Sequence, residues 1–323
     1  MFTRSHILRL FIASCALASG VTTYAQNYPN RPVKVVVPFA AGGPADNYAR
    51  FMAQRLSEEL KQPFVVENKP GAGSIIGTDY AAKSPADGYT LLMMSNAHTV
   101  NESLIPNKPF GLTKDFVGIA PINYSNLLLV VHPSVPVKNV GELIALAKAK
   151  PGKLNYASSG NGTPYHMAGE LFKHLAGINM THIPYKGSSG ARTDIVGGQV
   201  DVMFDAETTM AEFARNGQVR MLGATGLARS SNLPDVPTVA ETVPKYEATI
   251  WLGLMAPKGT PSDVINKLNA EIRKIVSNPE VKATWAKQGA VPMSMAVAEF
   301  DQYLNADIAK WANIVKVSGV KAD

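Results

Sequence analysis

Short β-branched runs alternate with amphipathic stretches along nearly the whole chain, and this alternation restricts the possible folds more than any other feature. Residues 33–37 read Val-Lys-Val-Val-Val, the pattern of a buried strand. A glycine-rich turn spans 38–44. Residues 45–60 then place Tyr48, Met52, Leu56 and Leu60 at i, i+4 spacing, the stripe of an amphipathic helix. Strands follow at 64–67 and 89–94, with a short helix ending at Ala82 between them. The second of these strands closes on the polar tip Ser95-Asn96-Ala97-His98-Thr99. Such alternation produces α/β layers.

The pattern restarts at residue 127. Strands are expected at 127–131, 154–157, 181–184, 200–205 and 220–225, and helices at 140–149, 164–176 and 191–196. An irregular proline-rich segment covers 229–244, an apolar strand 250–255, and helices 261–276 and 298–315. The restart implies two α/β lobes. The chain is expected to cross near Asn126 and return near Tyr246, so that 26–125 and 247–323 form one lobe and 126–246 the other.

Residues 1–25 have the layout of a signal peptide. Arg4 and Arg9 precede an apolar stretch from about residue 10 to 18, and Thr23-Tyr24-Ala25 offers a cleavage site near Ala25. The apolar stretch is too short to span a bilayer. Cys15 opens a rival reading, since Ile12-Ala13-Ser14-Cys15 loosely resembles a lipoprotein processing site, but the apolar run continues past it. Cleavage after Ala25 leaves 323 − 25 = 298 residues without cysteine, because Cys15 is the only one. A soluble periplasmic protein resting on its hydrophobic core alone is therefore expected. The formal charge of +6 becomes +4 without Arg4 and Arg9, and the basic residues are scattered, which argues against nucleic acid as a partner.

Three loops share one design, in which a strand ends, small residues follow and a helix begins. They are Phe39-Ala40-Ala41-Gly42-Gly43-Pro44, Pro70-Gly71-Ala72-Gly73-Ser74, and Ser158-Ser159-Gly160-Asn161-Gly162-Thr163-Pro164. Helix N-termini expose unpaired N–H groups and partial positive charge, so they hold carboxylates or phosphates without a cationic side chain. Glycine lets the backbone approach a ligand closely. The alternative, ordinary turns, is weakened by their recurrence in both lobes.

Enzyme readings find little support. Gly71-Ala72-Gly73-Ser74-Ile75-Ile76-Gly77 nears a dinucleotide fingerprint, but its last glycine is one residue late. Ser158 and Ser159 lack the upstream glycine of a nucleophile elbow. His98, His132, His166, His174 and His182 contain no i, i+4 pair for zinc. No cofactor or metal is expected. His166 could face the cleft or serve as a turn or surface residue. Asp205 could face a ligand or cap a helix beginning near Glu207.

At these loops the chain resembles the Bug receptors, the extracytoplasmic solute-binding proteins of the tripartite tricarboxylate transporter system. The resemblance is carried by Pro38-Phe39-Ala40-Ala41-Gly42-Gly43 with Asp46 and Arg50, and by Glu67-Asn68-Lys69-Pro70-Gly71-Ala72-Gly73. It continues through Asn155-Tyr156-Ala157-Ser158-Ser159-Gly160-Asn161-Gly162-Thr163 and His182-Ile183-Pro184-Tyr185-Lys186-Gly187. Gly198-Gln199-Val200-Asp201-Val202-Met203-Phe204-Asp205, Leu233-Pro234-Asp235-Val236-Pro237-Thr238 and Ala256-Pro257-Lys258-Gly259-Thr260-Pro261 complete it.

The resemblance implies a two-lobed α/β periplasmic-binding-protein fold of type II character, with a ligand cleft between lobes joined by two crossing strands. It implies a receptor, not an enzyme, that delivers a small carboxylate to integral membrane subunits and acts as a monomer. Carried onto this chain, Phe39, Ala41, Gly42 and Gly43 form one wall of the cleft, with Gly71, Gly73 and Ser95 beside them. Ser159, Asn161 and Thr163 reach in from the second lobe, with Asp205 close by. The chain departs from the common pattern at Pro44, at Tyr165-His166 and at Glu207, positions able to alter ligand choice. If Asp205 and Glu207 both faced the cleft, a ligand bearing a cationic group would be favoured. Signalling to a sensor kinase, in place of transport, is the rival use of such a receptor.

Overall fold

The computed structural model describes residues 28–318 and 320–321, so the expected leader, Cys15 and the Ala25 cleavage site lie outside the described residues. Val33–Val37 (β1) carries apolar side chains on both faces and is buried between helices. Val33, Val35 and Val37 meet Tyr48, Met52 and Leu56 of Pro44–Leu60 (α1) on one face. Val36 meets Ala81 of Ile75–Ala82 (α2) on the other. β1 pairs in parallel with Phe64–Asn68 (β2) on one side and Thr90–Ser95 (β3) on the other. Then come Ala97–Leu104 (α3), Leu112–Asp115 (α4) and the strand Phe116–Val131 (β4).

The middle of the chain gives Val140–Ala149 (α5), Asn155–Ser158 (β5), Pro164–Ala176 (α6), Thr181–Pro184 (β6) and Ser188–Val196 (α7). Val202–Ala206 (β7), Glu207–Arg215 (α8) and Arg220–Ala224 (β8) follow. β5 pairs in parallel with β6 and β7, while β7 and β8 pair antiparallel with the second half of β4. Leu127 and Leu129 of β4 pack with Leu143 of α5 and Phe172 of α6. Leu128 and Val130 pack on the opposite face with Ile195 of α7 and Met210 of α8. The alternation of side chains along a strand thus feeds two separate core layers.

Thr249–Pro257 (β9) returns the chain to the first sheet, followed by Ser262–Ser277 (α9), Pro279–Lys287 (α10), Ala290–Pro292 (β10) and Val297–Ser318 (α11). The strand order is β2-β1-β3-β9-β4-β7-β5-β6, with β8 and β10 also on β4. The architecture is mixed α/β. β4 belongs to both sheets, its first half pairing with β9 and β10 and its second with β7 and β8. At the crossing, Ala248 N–H donates to the Thr225 carbonyl at 3.0 Å, and Leu127 N–H donates to the Thr225 hydroxyl at 2.8 Å. α11 seats Phe300 and Leu304 on the first sheet, whereas its Trp311 packs against Met167 of α6.

Two of the segments that differ from their sequence patterns are β4 and the start of α3. The strand expected at 127–131 begins at Phe116, because Gly118, Pro121 and Asn123 interrupt the apolar run while the backbone stays extended through two register shifts against β9. The expected polar tip at Ser95–Thr99 is instead the buried start of α3. Thr99 Oγ1 donates to the Asn96 carbonyl at 2.9 Å and Asn96 Nδ2 to the distant Thr249 carbonyl at 2.9 Å, so one local and one tertiary partner make these polar residues compatible with burial.

Candidate functional site

Three strand ends, those of β1, β5 and β6, deliver three helix N-termini to one cavity. Phe39, Ala40, Gly43, Pro44 and Ala45 form its wall at the start of α1. Ser159, Pro164 and Tyr165 face them from the start of α6, and Ser188 from the start of α7. Ser95 at the end of β3 and Ile250 at the start of β9 complete the enclosure. The non-atom space is ≈ 330 Å³, part of it open to solvent.

The wall contains hydroxyls and backbone but no charged side chain. Neither Gly43 nor Gly187, the residues preceding α1 and α7, can offer a capping side chain. Pro44 has no N–H, so the first-turn N–H groups of α1 from Ala45 onward and those of α7 remain for another acceptor, with the positive ends of the dipoles behind them. α6 differs: Thr163 caps it, accepting the His166 N–H at 3.4 Å and donating to the Gly160 carbonyl at 2.7 Å. The Ser159 hydroxyl is buried with no hydrogen-bond partner, an arrangement costly enough to imply that a ligand group meets it, and the Tyr165 hydroxyl is buried beside that of Ser188.

Beneath the cavity, polar groups hold the loops. Asp46 accepts from Gly42 N–H at 3.0 Å, Arg50 Nε at 3.0 Å and Asn68 Nδ2 at 2.9 Å. Burial alone would raise its carboxyl pKa, but Arg50, Gly42 and Asn68 outweigh burial and hold it below the usual range. His98 lies under Ser95 and packs edge-on against Phe39 at 6.2 Å between ring centroids. Its ring nitrogens stand 2.9 Å from the Thr78 hydroxyl and 2.9 Å from the Ser95 carbonyl. Burial depresses its pKa to about 4, against a smaller opposing effect of the Ser95 carbonyl, so the ring is neutral near pH 7. His166 is buried and accepts the Gly162 N–H at 3.1 Å, which pins the second-lobe loop.

Of the residues singled out in the sequence, Phe39, Gly43, Ser95 and Ser159 lie in the cavity wall. Ala41 and Gly42 are exposed at its lip. Gly71 and Gly73 lie outside the wall, where a side chain on Gly73 would collide with the Asn161 carbonyl of the facing loop. Asn161 and Thr163 therefore shape the loop and the junction. Asp205 is fully buried, with Oδ2 paired to Arg192 Nε at 2.9 Å and Oδ1 accepting the Ala206 N–H at 2.9 Å. Glu207 is bonded to Ser230 Oγ at 2.6 Å and Asn232 Nδ2 at 3.1 Å. Neither acid forms the wall, which removes the feature that would have favoured a cationic ligand.

Sequence reasoning marked Tyr165 only as a position able to alter ligand choice, and it missed Ile250 and above all Ser188. The signal was present: Gly187-Ser188-Ser189 follows the 181–184 strand, repeating the design of strand, small residues and helix. The apolar pattern places the helix only from residue 191, because the three small residues before it carry no apolar stripe.

At several points glycine lets the two halves touch. A methyl group on Gly187 would lie 2.8 Å from Ala40 Cβ, and one on Gly43 would lie 3.0 Å from Ser188 Oγ. Gly187 has φ 165°, an extended backbone that alanine adopts freely, so Gly187→Ala tests the contact alone. Overpacking costs about 1–3 kcal/mol. Applied to the closed form, this predicts ligand binding weakened by roughly 5–150-fold in calorimetry. Unchanged affinity would show that the Gly187–Ala40 contact is absent from the bound state.

Comparison with known proteins gives a consistent result. The family model described as "Tripartite tricarboxylate transporter family receptor" matches residues 48–320. The chain is 37% identical over 318 residues to the protein BugT of Bordetella pertussis, covering 98% of this chain and 97% of that one. Among solved structures, it is similar to Rpa4515 of R. palustris with adipate, at 33% identity and a TM-score of 0.88 over 91% of this chain and 99% of that chain. MatC of Rhodopseudomonas palustris with bound malate gives 31% identity and a TM-score of 0.85 over 89% of this chain and 100% of the other.

Proposed function

The chain belongs to the tripartite tricarboxylate transporter receptor family, a family of solute-binding receptors, and from that premise we propose that it captures a small carboxylate between its lobes for a membrane transporter. The observation that carries this reading is the cavity itself: uncapped helix N-termini and the hydroxyls of Ser95, Ser159, Tyr165 and Ser188 converge on it, and no charged side chain competes for the ligand. Donors converging in this way stabilise an anionic group by oriented dipoles. The adipate and malate bound by two similar proteins support the same class.

In this reading the protein works as a monomer in the periplasm after loss of residues 1–25 and delivers its ligand to integral membrane subunits. The lobes comprise 26–125 with 247–323, and 126–246. Opening about the crossing near Asn126 and Ala248 admits the ligand, and closure seals it. The candidate ligand residues remain Phe39, Ala41, Gly42, Gly43, Gly71, Gly73, Ser95, Ser159, Asn161, Thr163 and Asp205. Those in the wall act directly, and the others act through loop shape and lobe contact.

The test is a thermal-shift screen on the chain from Gln26 onward, refolded to strip carried-over ligand. Di- and tricarboxylates, acidic amino acids, aromatic acids and nicotinate form the panel, with neutral sugars as controls. A ligand at 100 times its dissociation constant stabilises the protein by about 2.7 kcal/mol. Ser159→Ala is expected to weaken the responding acid by roughly 10-fold or more, since a hydrogen bond to a charged group contributes about 1.5–3 kcal/mol. A response to sugars alone would overturn the carboxylate reading.

A further inference from the structure

Hydrogen-bond direction at one end of the cavity is set from behind its wall. A guanidinium has only donors. Arg192 Nη2 donates to Ser188 Oγ at 3.2 Å, while Arg192 Nε is committed to Asp205 Oδ2 at 2.9 Å. Asp205 is fully buried and fixed in turn by the Ala206 N–H at 2.9 Å and the Thr209 hydroxyl at 3.3 Å. The Ser188 hydrogen cannot go to Arg192 and must turn elsewhere. Beside it stands the Tyr165 hydroxyl, buried and without an aligned hydrogen-bond partner. If Ser188 donates to Tyr165, the Tyr165 hydrogen faces the cavity. If Tyr165 donates to the second lone pair of Ser188, the Ser188 hydrogen does. In either order the last hydrogen points inward. Ser95 adds to this bias, since its Oγ accepts the Ala97 N–H at 3.2 Å and keeps its own hydrogen to give.

We propose that the buried Arg192–Asp205 pair polarises the Ser188 and Tyr165 hydroxyls toward the cavity, so that this end receives a carboxylate oxygen and rejects the corresponding carboxamide or ammonium group. The proposal rests on the reading that this cavity is the ligand site. It assigns Arg192 as a positioning residue acting through Ser188, and Ser188 and Tyr165 as the specificity-determining contacts. An ammonium placed here would set donor against donor, and a carboxamide can meet these hydroxyls with its one oxygen only, leaving its NH₂ where the second carboxylate oxygen would face the helix N–H groups.

The experiment measures dissociation constants for matched pairs: nicotinate and nicotinamide, benzoate and benzamide, adipate and adipamide. The wild-type chain is expected to prefer the acid of a bound pair by about 100-fold or more. Arg192→Gln supplies a carbonyl able to accept the Ser188 hydrogen and is expected to lower that ratio at least about 10-fold, whereas donor-only Arg192→Lys retains it. Ser188→Ala and Tyr165→Phe, which leave the buried ion pair intact, are expected to weaken the acid by about 10-fold without weakening the amide. They decide the matter if Arg192→Gln does not fold. The acid-to-amide ratio is the readout because a packing role for Arg192 would weaken both members of a pair alike. An unchanged ratio in Arg192→Gln, or in both hydroxyl variants where Arg192→Gln does not fold, overturns the proposal. So does a wild-type chain that binds amide as tightly as acid. Failure of every acid and amide to bind would instead overturn the underlying assignment of the cavity.

Discussion

Arg192→Leu should lower the free energy of unfolding by about 3–5 kcal/mol, because it leaves the fully buried Asp205 carboxylate without its counter-charge. In a chain of this size that corresponds to a melting temperature lower by roughly 10 °C. The double variant Arg192→Leu with Asp205→Asn should recover most of the loss, since the cost lies in the orphaned charge and not in the absent pair. The deficit should also depend on pH. Burial already raises the Asp205 carboxyl, and Arg192 partly opposes that rise. Without Arg192 the folded-state pKa climbs further, so between the unfolded carboxylate value and the raised one the folded form holds a proton that the unfolded form lacks. Stability of the single variant therefore recovers as pH falls through that window. Urea titrations at several pH values would show this, and a loss below about 1 kcal/mol at pH 7 would mean that Asp205 is neutral in the wild-type protein.

Acidification should act on His98 with the opposite sign. Its folded-state pKa is held at about 4 chiefly by burial, below the unfolded value near 6.5. Between those values the unfolded chain takes up a proton that the folded chain refuses. The stabilisation is complete above about pH 6.5 and is lost progressively toward pH 4, amounting to about 3 kcal/mol in all. Because carboxyl groups titrate in the same range, the measurement is the difference in urea midpoint between wild type and His98→Gln as a function of pH. A difference that narrows from pH 7 to pH 4.5 is the expected result. A constant difference would show that His98 is hydrated or already charged in the folded state. Since the ring supports Ser95 and packs on Phe39 and stays neutral in the folded chain down to about pH 4, ligand affinity should hold across this range and weaken only where the folded ring itself takes up a proton.

Much of the fold was legible because its elements carry strong local patterns. Val33–Val37, Val140–Ala149, Pro164–Ala176 and Thr181–Pro184 begin and end where their sequences indicate, since apolar periodicity and cap residues coincide there. The first half of β4 was hidden because Gly118, Pro121 and Asn123 break its apolar run, and only pairing with β9 reveals it as one strand. α3 was hidden because its first turn is polar, and only tertiary partners make that turn a buried helix start. For the site, the glycine loops marked where helix N-termini approach one another, which is a local property. What each glycine touches is not local: Gly73 meets the opposite loop and Gly187 meets Ala40. The Arg192–Ser188 contact at i, i+4 was in principle readable, but its meaning required Asp205, thirteen residues away on β7.

The position of β9 between β3 and β4 has a consequence for how the molecule comes into being. A chain made from its N-terminus has both neighbours of this gap in hand by Val131, yet the strand that joins them ends at Pro257 of 323 residues. Until it arrives, β3 has an unpaired edge and the first core lacks Leu252, Leu254 and Ala256. The leading segment therefore cannot close on itself early, and the high separation of its contacts makes its closure slow. A chain whose first sheet is completed late leaves an interval before folding in which it can be threaded across a membrane, which is the order of events that the proposed export requires.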